Sequence, residues 1–329
     1  MSGYIVRRLI SMVLMLLLLT LVVFLLFSVL PTDPARLTCG KACSPEVIAA
    51  NRHNLGLDLP LWQQYWEYLK GIFVGRTYGS GTATYTCDAP CLGYSFKRGE
   101  QVTTLLKDAF PPTFWLAVGA FILWITVGVS LGIYSALRRG RWQDKLVMGV
   151  SLVGYSLPSF FIGLLLLFTV VLKWQLLPYP NYVSPFEDPY AFFTSMILPW
   201  IVLAILYAAF YMRLTSNQML DTLGEDYIRT ARAKGLPERV VIRKHGLRAG
   251  LTPIVTAAGL DLAGLLGGAI ITESIFNLPG LGALAVDSVT DSDLPVIVGI
   301  TLVTATFIIV ANLIVDLLYA VIDPRVRLV

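Results

Sequence analysis

The chain has 329 residues, enough for two soluble domains by length alone, but its composition excludes that. Hydrophobic residues make up 56% and charged residues 14%, with a mean hydropathy of +0.71. A soluble protein of this size carries roughly a quarter of its residues charged, so this surface faces something other than water. Disordered chains, soluble enzymes and nucleic-acid-binding modules are thereby excluded, and a net charge of +4 is too small to imply a polyanionic partner. The composition is that of a polytopic membrane protein, and the apolar stretches that follow, read as helices, make it an all-α one.

Six apolar stretches are long enough to cross a hydrocarbon core about 30 Å thick. They run about 9–30, 114–137, 146–172, 196–212, 254–272 and 296–321. The first follows Arg7 and Arg8 and ends at Pro31; it is too long for a signal-peptide core and is followed by no small-x-small cleavage site, so it reads as a retained helix. Basic residues are distributed unevenly. Sixteen lie at the two termini and in the second-to-third and fourth-to-fifth loops, and one, Lys173, lies in the short loops of the opposite side. The remaining eight fall in the long segment 31–113, which the positive-inside rule does not cover. Both termini are therefore expected in the cytoplasm. Three segments follow: 1–30 with the first helix, an extracytoplasmic insert 31–113, and a core 114–329 containing a cytoplasmic loop 213–250.

Within the insert, Ser44 to Asn54 reads as a short helix with Pro45 and Glu46 in its first turn. Leu61 to Phe73 spaces Leu61, Trp62, Tyr65, Trp66, Leu69 and Phe73 mostly three and four apart, an amphipathic helix that either packs on other outer elements or lies on the membrane. All four cysteines are here, as Cys39–Cys43 and Cys87–Cys91. An oxidising outer location points to disulfides, with three connectivities open. A zinc site is the rival use, but structural zinc more often takes C-x2-C steps.

The cytoplasmic loop contains EDYIRTARAKGLPERVVIRKHGLR, Glu225 to Arg248. Glu225 to Lys234 has no helix breaker, places acids first and bases last, and stops at Gly235, where a left-handed turn is expected. Leu236–Pro237 then opens a second helix. Acidic groups inside apolar stretches are functional candidates by default. Asp261 lies about two turns into the fifth helix, among Gly259, Gly264, Gly267 and Gly268, where Gly264-x-x-x-Gly268 suggests a close helix contact. Two roles are open to it, lining a passage or bonding to a neighbouring helix. Glu273 ends the same stretch and suits a gate or a loop anchor, and Asp316, one turn past Asn312, suits a structural hydrogen bond. His53 and His245 form no H-E-x-x-H pattern, and no nucleophile constellation appears.

The loop above, together with ESIFNLPGLGALAVDSVTDSDLPVIVG (Glu273 to Gly299), NLIVDLLYAVIDPRVR (Asn312 to Arg327), LGLDLPLWQQYWEYLKG (Leu55 to Gly71) and GYSF (Gly93 to Phe96), resembles the transmembrane subunits of dipeptide/oligopeptide ABC importers. The resemblance spans nearly the whole chain. It implies a six-helix type I importer permease fold with an insert between the first two helices, in a bacterial inner membrane. It also implies a homologous second permease, two cytoplasmic ATPases, an extracytoplasmic peptide-binding protein and a peptide substrate, with alternating access as the mechanism.

The family's hallmark is an EAA-x-x-x-G loop that docks into the ATPase. Counting back from Gly235 places it on Arg229, Thr230 and Ala231, with Arg243 beyond. Arg229 stands where the wider superfamily has Glu, a variant usual in peptide-type permeases. Arg248 stands where the superfamily often has Pro, and the cysteine pairs resemble inserts that the family pattern does not cover. No G-x-x-x-x-G-K-[ST] occurs, because the only Gly-Lys pair, Gly40–Lys41, is followed by Ala42. ATP and Mg are therefore expected on partner subunits, with no cofactor or metal in this chain, which is not itself an enzyme. Related importers for nickel or oligosaccharides are alternatives. A stand-alone secondary transporter would need internal repeats and helices broken near the midplane. Pro158 is one candidate break, and no matching one recurs in the other half.

Overall fold

The computed structural model describes residues 2–29, 35, 44–54, 56–78 and 84–322. Among the described residues, four helices are long and apolar enough to cross a membrane, and up to six spans result when each of two bent helix pairs is taken as one. The long helices are α1 (Ser2–Val29), α4 (Val102–Leu137), α7 (Pro189–Gly224) and α14 (Leu294–Ile322). Helix α4 starts twelve residues before the expected Phe114 and runs through Pro111–Pro112 without ending. Helix α7 begins at a capped turn, where Asp188 Oδ1 accepts from the backbone N–H groups of Tyr190 and Ala191 (both 3.0 Å) with Pro189 in the first turn. It then continues twelve residues beyond Met212, because no Gly or Pro interrupts Arg213 to Leu223.

The third stretch is not a continuous helix. Helices α5 (Trp142–Ser156) and α6 (Ser159–Leu166, continued by a wide turn Leu167–Lys173) meet at 94°. The cause is Pro158: the residue before a proline is driven out of the helical region, and Leu157 is extended at φ −85°, ψ 128°. The fifth stretch is also interrupted. Helix α11 (Thr252–Leu266) ends at Gly267–Gly268, and a short α12 (Ile270–Ile275) follows, so the expected run to Thr272 is corrected to two pieces. The candidate break at Pro158 is thus present, and a second break at Gly267–Gly268 stands in the later half, where the sequence offered no match for it.

The chain divides into two compact units. The first comprises 1–111 and 280–309. Here α2 (Pro45–Asn54) starts where Ser44 Oγ accepts from Val47 N (3.3 Å), and α3 (Leu61–Val74) follows. Two small antiparallel ladders depart from the all-helical expectation: β1 (Arg76–Tyr78) with β2 (Tyr85–Cys87), and β3 (Tyr94–Ser95) with β4 (Glu100–Gln101). Cys87 and Cys91 are joined in a disulfide, while Cys39 and Cys43 lie outside the described residues. A compact apolar cluster of Val102, Leu106, Leu281, Leu284, Val296 and Ile300 binds the start of α4, α13 (Leu281–Thr290) and the start of α14. Ser95 Oγ donates to the buried carboxylate of Asp293, tying β3 to the start of α14.

The second unit comprises 112–279 and 310–329. Its core is aromatic and aliphatic, with Leu116, Trp124, Met196, Tyr211 and Phe276 almost fully buried. Trp124 stacks on Tyr207 (ring centroids 4.5 Å apart), and Trp200 Nε1 donates to the Trp115 carbonyl (2.9 Å), fastening α7 to α4.

Candidate functional site

Helix α8 (Asp226–Ala233) leaves the end of α7 at Glu225, where the backbone turns extended (φ −68°, ψ 150°). Only one side of this helix is apolar. Ile228 and Ala231, three apart, are buried with Val241 and Leu223 in a small separate core. That seating turns Arg229 and Thr230 outward. Arg229 is 73% exposed, and its Nη1 lies 3.4 Å from Asp226 Oδ1 one turn earlier. Thr230 Oγ1 donates back to the Asp226 carbonyl (2.9 Å). Of the three residues of the expected docking triplet, Arg229 and Thr230 therefore have exposed side chains, whereas Ala231, 6% exposed, seats the helix.

The turn after α8 is built on Gly235, at φ +77°, and nothing lies within 4 Å of where a Cβ would stand. The space is open; only the backbone conformation restricts the residue to glycine. Arg232 brackets the turn with two bonds to Glu238, Nη2 to Oε1 (2.7 Å) and Nε to Oε2 (3.2 Å). This two-pronged bond holds the Glu238 carboxyl below the usual carboxylate range and raises Arg232 further. Helix α9 (Glu238–Val240), a wide turn Val241–Gly246 carrying the exposed Arg243, and α10 (Leu247–Gly250) lead back to α11. α10 packs against α7, with Gly250 beside Met219 and Thr222. Helix α8 is thus joined to two spans: directly to α7, and through the wide turn and α10 to α11.

Asp261 on α11 is half-buried and accepts a 2.6 Å hydrogen bond from Tyr211 Oη on α7. The expected Gly264-x-x-x-Gly268 contact is not made within this chain. Gly264 faces open space and Gly268 forms the break at φ +116°. The close approach is at Gly259, where a Cβ would come within 2.4 Å of Val315 on α14. Glu273 is fully buried. Its Oε1 accepts from Thr113 Oγ1 on α4 (2.8 Å) and from the backbone N–H of Ala269 in the break (3.2 Å). Tyr211 and Thr113 have no sequence signal, since they lie 50 and 160 residues from their partners. Asn312 is exposed on α14, and the Asp316 side chain is outside the described residues. His53 pairs with Asp58 at the surface (3.3 Å), and no metal-holding group of three ligands occurs among the described residues.

The chain has known relatives. The binding-protein-dependent transport system inner membrane component matches residues 128–328, and its N-terminal counterpart matches residues 1–117. The chain belongs to this family. The glutathione transport system permease proteins GsiC of Escherichia coli O6:H1 and of Salmonella typhimurium are each 39% identical to it over 329 residues, covering 99% of both chains. That of Escherichia coli K12 is 38% identical over the same length. Among solved structures, the inward-facing MetNI methionine ABC transporter is 16% identical and superposes with a TM-score of 0.50, over 67% of this chain and 97% of its own. That likeness bears on the fold alone, which is that of an ABC importer permease. The chain is a membrane-spanning permease subunit of such an importer.

Proposed function

We propose that this subunit forms half of a pathway for small peptides, opened and closed through α8 by a separate cytoplasmic ATPase. The carrying observation is the geometry of α8. One face is locked onto α7 by Ile228 and Ala231, the other presents Arg229 and Thr230, and the segment is continuous with two membrane helices. A soluble partner gripping the outer face can move both spans together. The homologous second permease, two ATPases carrying Mg-ATP and an extracytoplasmic binding protein complete the machine, as the family membership implies. The peptide class is supported by the whole-length likeness to permeases named for glutathione, itself a small peptide.

The orientation with both termini in the cytoplasm rests on the sixteen basic residues on that side against one in the opposing short loops. Asp261, bonded to Tyr211, is assigned to holding α11 against α7, and Glu273 to fixing the break before α12. Binding of ATP draws the ATPases together, α8 follows, and the cavity changes the side it faces.

The test is a charge reversal. Arg229 should seek a carboxylate or a row of carbonyls on the ATPase, a charge-assisted bond of about 1.5–3 kcal/mol. Arg229→Glu should abolish ATPase copurification and peptide-stimulated ATP hydrolysis in the reconstituted complex, and Arg229→Ala should weaken both less. Retention of both by Arg229→Glu at normal levels would remove α8 as the docking element. Uptake of glutathione compared with a dipeptide, a nickel salt and an oligosaccharide tests the solute separately.

A further inference from the structure

The outer helix α3 has a wide apolar arc, and the structure accounts for only half of it. Tyr65 and Tyr68 pack on α1. Tyr65 Oη donates to the Leu17 carbonyl (3.2 Å) and lies 3.0 Å from Thr20 Oγ1, and both rings lie against Phe24, at 5.5 and 6.2 Å between centroids. The position of this contact along α1 is informative. The described apolar run of α1 reaches Leu25, so Leu17 lies at least eight residues, or about 12 Å at 1.5 Å per residue, short of its outer end. A tyrosine side chain spans only part of that depth. The body of α3 therefore lies beside the membrane-spanning part of α1, not above it.

The other half of the arc is uncovered among the described residues. Trp62, Trp66, Leu69 and Phe73 fall at i, i+4, i+7 and i+11 on one line, and Trp62, Trp66 and Phe73 are 68%, 64% and 79% exposed. The polar arc is turned elsewhere. Gln64 Nε2 donates to the Leu57 and Leu59 carbonyls (3.2 and 2.8 Å), and Glu67 lies 3.9 Å from Arg76 at the start of β1. A helix with bulky aromatics on one line, polar groups tied back to the insert, and a neighbour that is itself a membrane span has the chemistry of an interfacial helix.

We propose that α3 is sunk into the bilayer, its Trp62–Trp66–Phe73 line facing lipid at the boundary between headgroups and acyl chains on the side of segment 31–113. The occupant of this face is the lipid leaflet. It sets the height of the two ladders that follow α3, a single residue, Gly75, separating the helix from β1.

The experiment uses the full chain in its transporter complex, reconstituted in phospholipid nanodiscs. A nitroxide is attached at Trp66→Cys, Phe73→Cys or Glu67→Cys, with the wild type as the background for native cysteines. Relaxation by oxygen, which partitions into lipid, is compared with relaxation by a water-soluble nickel chelate. The oxygen-to-nickel ratio should be severalfold higher at Trp66→Cys and Phe73→Cys than at Glu67→Cys. Equal ratios at all three sites would place the face in water, and labels reached by neither reagent would place it under another protein chain; either result overturns the proposal. A gentler variant guards against misassembly of the labelled proteins. Trp62→Phe with Trp66→Phe should lose part of the tryptophan quenching that brominated lipids produce in the wild type, and an undiminished quenched signal would count against the proposal.

Discussion

The turn after α8 and the break before α12 each contain a glycine at positive φ, Gly235 at +77° and Gly268 at +116°, and each is followed within five residues by a bonded glutamate. Their surroundings differ. Glu238 is half exposed and grips Arg232 in water-accessible space, whereas Glu273 is fully buried and bonds to Thr113 Oγ1 and the Ala269 N–H. In the exposed turn the backbone conformation is the constraint and the ion pair an accessory, because solvent screens exposed charges. In the buried break the carboxylate is itself the constraint, because buried donors that lose an acceptor are expensive. The difference suggests a division of labour, with one site built to be gripped from outside and the other to stay fixed while its neighbours move.

The largest effect should therefore come from Glu273. Glu273→Ala deprives the Thr113 hydroxyl and the Ala269 N–H of this acceptor, at about 1–3 kcal/mol for each buried donor so affected, and opens a cavity as well. The measured result should be a sharply lower yield of monodisperse protein and a clear fall in Tm in detergent. Thr113→Val, which removes one donor together with its need for a partner, should fall between wild type and Glu273→Ala. An unchanged Tm for Glu273→Ala would break the contrast between the two sites.

Gly235 comes next. A β-branched residue at positive φ is strained, and the left-handed conformation alone costs a non-glycine residue about 1–2 kcal/mol. Gly235→Val should keep the fold, since the site is open, yet uncouple ATP hydrolysis from peptide. Gly235→Asn should be far milder, because Asn tolerates left-handed backbone. Equal loss in both variants would show that flexibility, not the left-handed conformation, is what the turn supplies.

Residue by residue, what is legible in the sequence is what is local. The capped start of α2, the amphipathic line of α3, the span of α8 and its glycine stop are each written within about a dozen neighbouring residues, and the structure has them. The bend at Pro158 is visible as a candidate for the same reason. The partners of the intramembrane acids are not, since Tyr211–Asp261 and Thr113–Glu273 join residues 50 and 160 apart and arise from helix packing. The extension of α7 to Gly224 is readable in principle from the absence of breakers after Met212, but hydropathy ends at the membrane and conceals it. At the other end, α4 begins at Val102 and passes through Pro111–Pro112, well before the apolar stretch that opens at Phe114.

The smallest effect belongs to the Arg232–Glu238 pair, and its smallness is the point. An exposed ion pair contributes about 0–1 kcal/mol, so Glu238→Gln should leave ATPase copurification and stimulated hydrolysis close to wild type at neutral pH. The direction with pH is fixed by the shift. Glu238 titrates below its ordinary value in the folded chain, so whatever stability the pair adds is present above the ordinary glutamate pKa. It is lost as the pH falls through the depressed value. Arg232, raised from an already high value, stays charged throughout and contributes no loss in this range. Stimulated hydrolysis by wild type should therefore be flat across neutral pH at this site, and Glu238→Gln should be flat with it. High salt should erase any remaining gap between the two. A large loss in Glu238→Gln that persists in high salt would mean the pair is shielded from solvent in the assembled importer, and Glu238 would then join Arg229 and Thr230 as part of the gripped face.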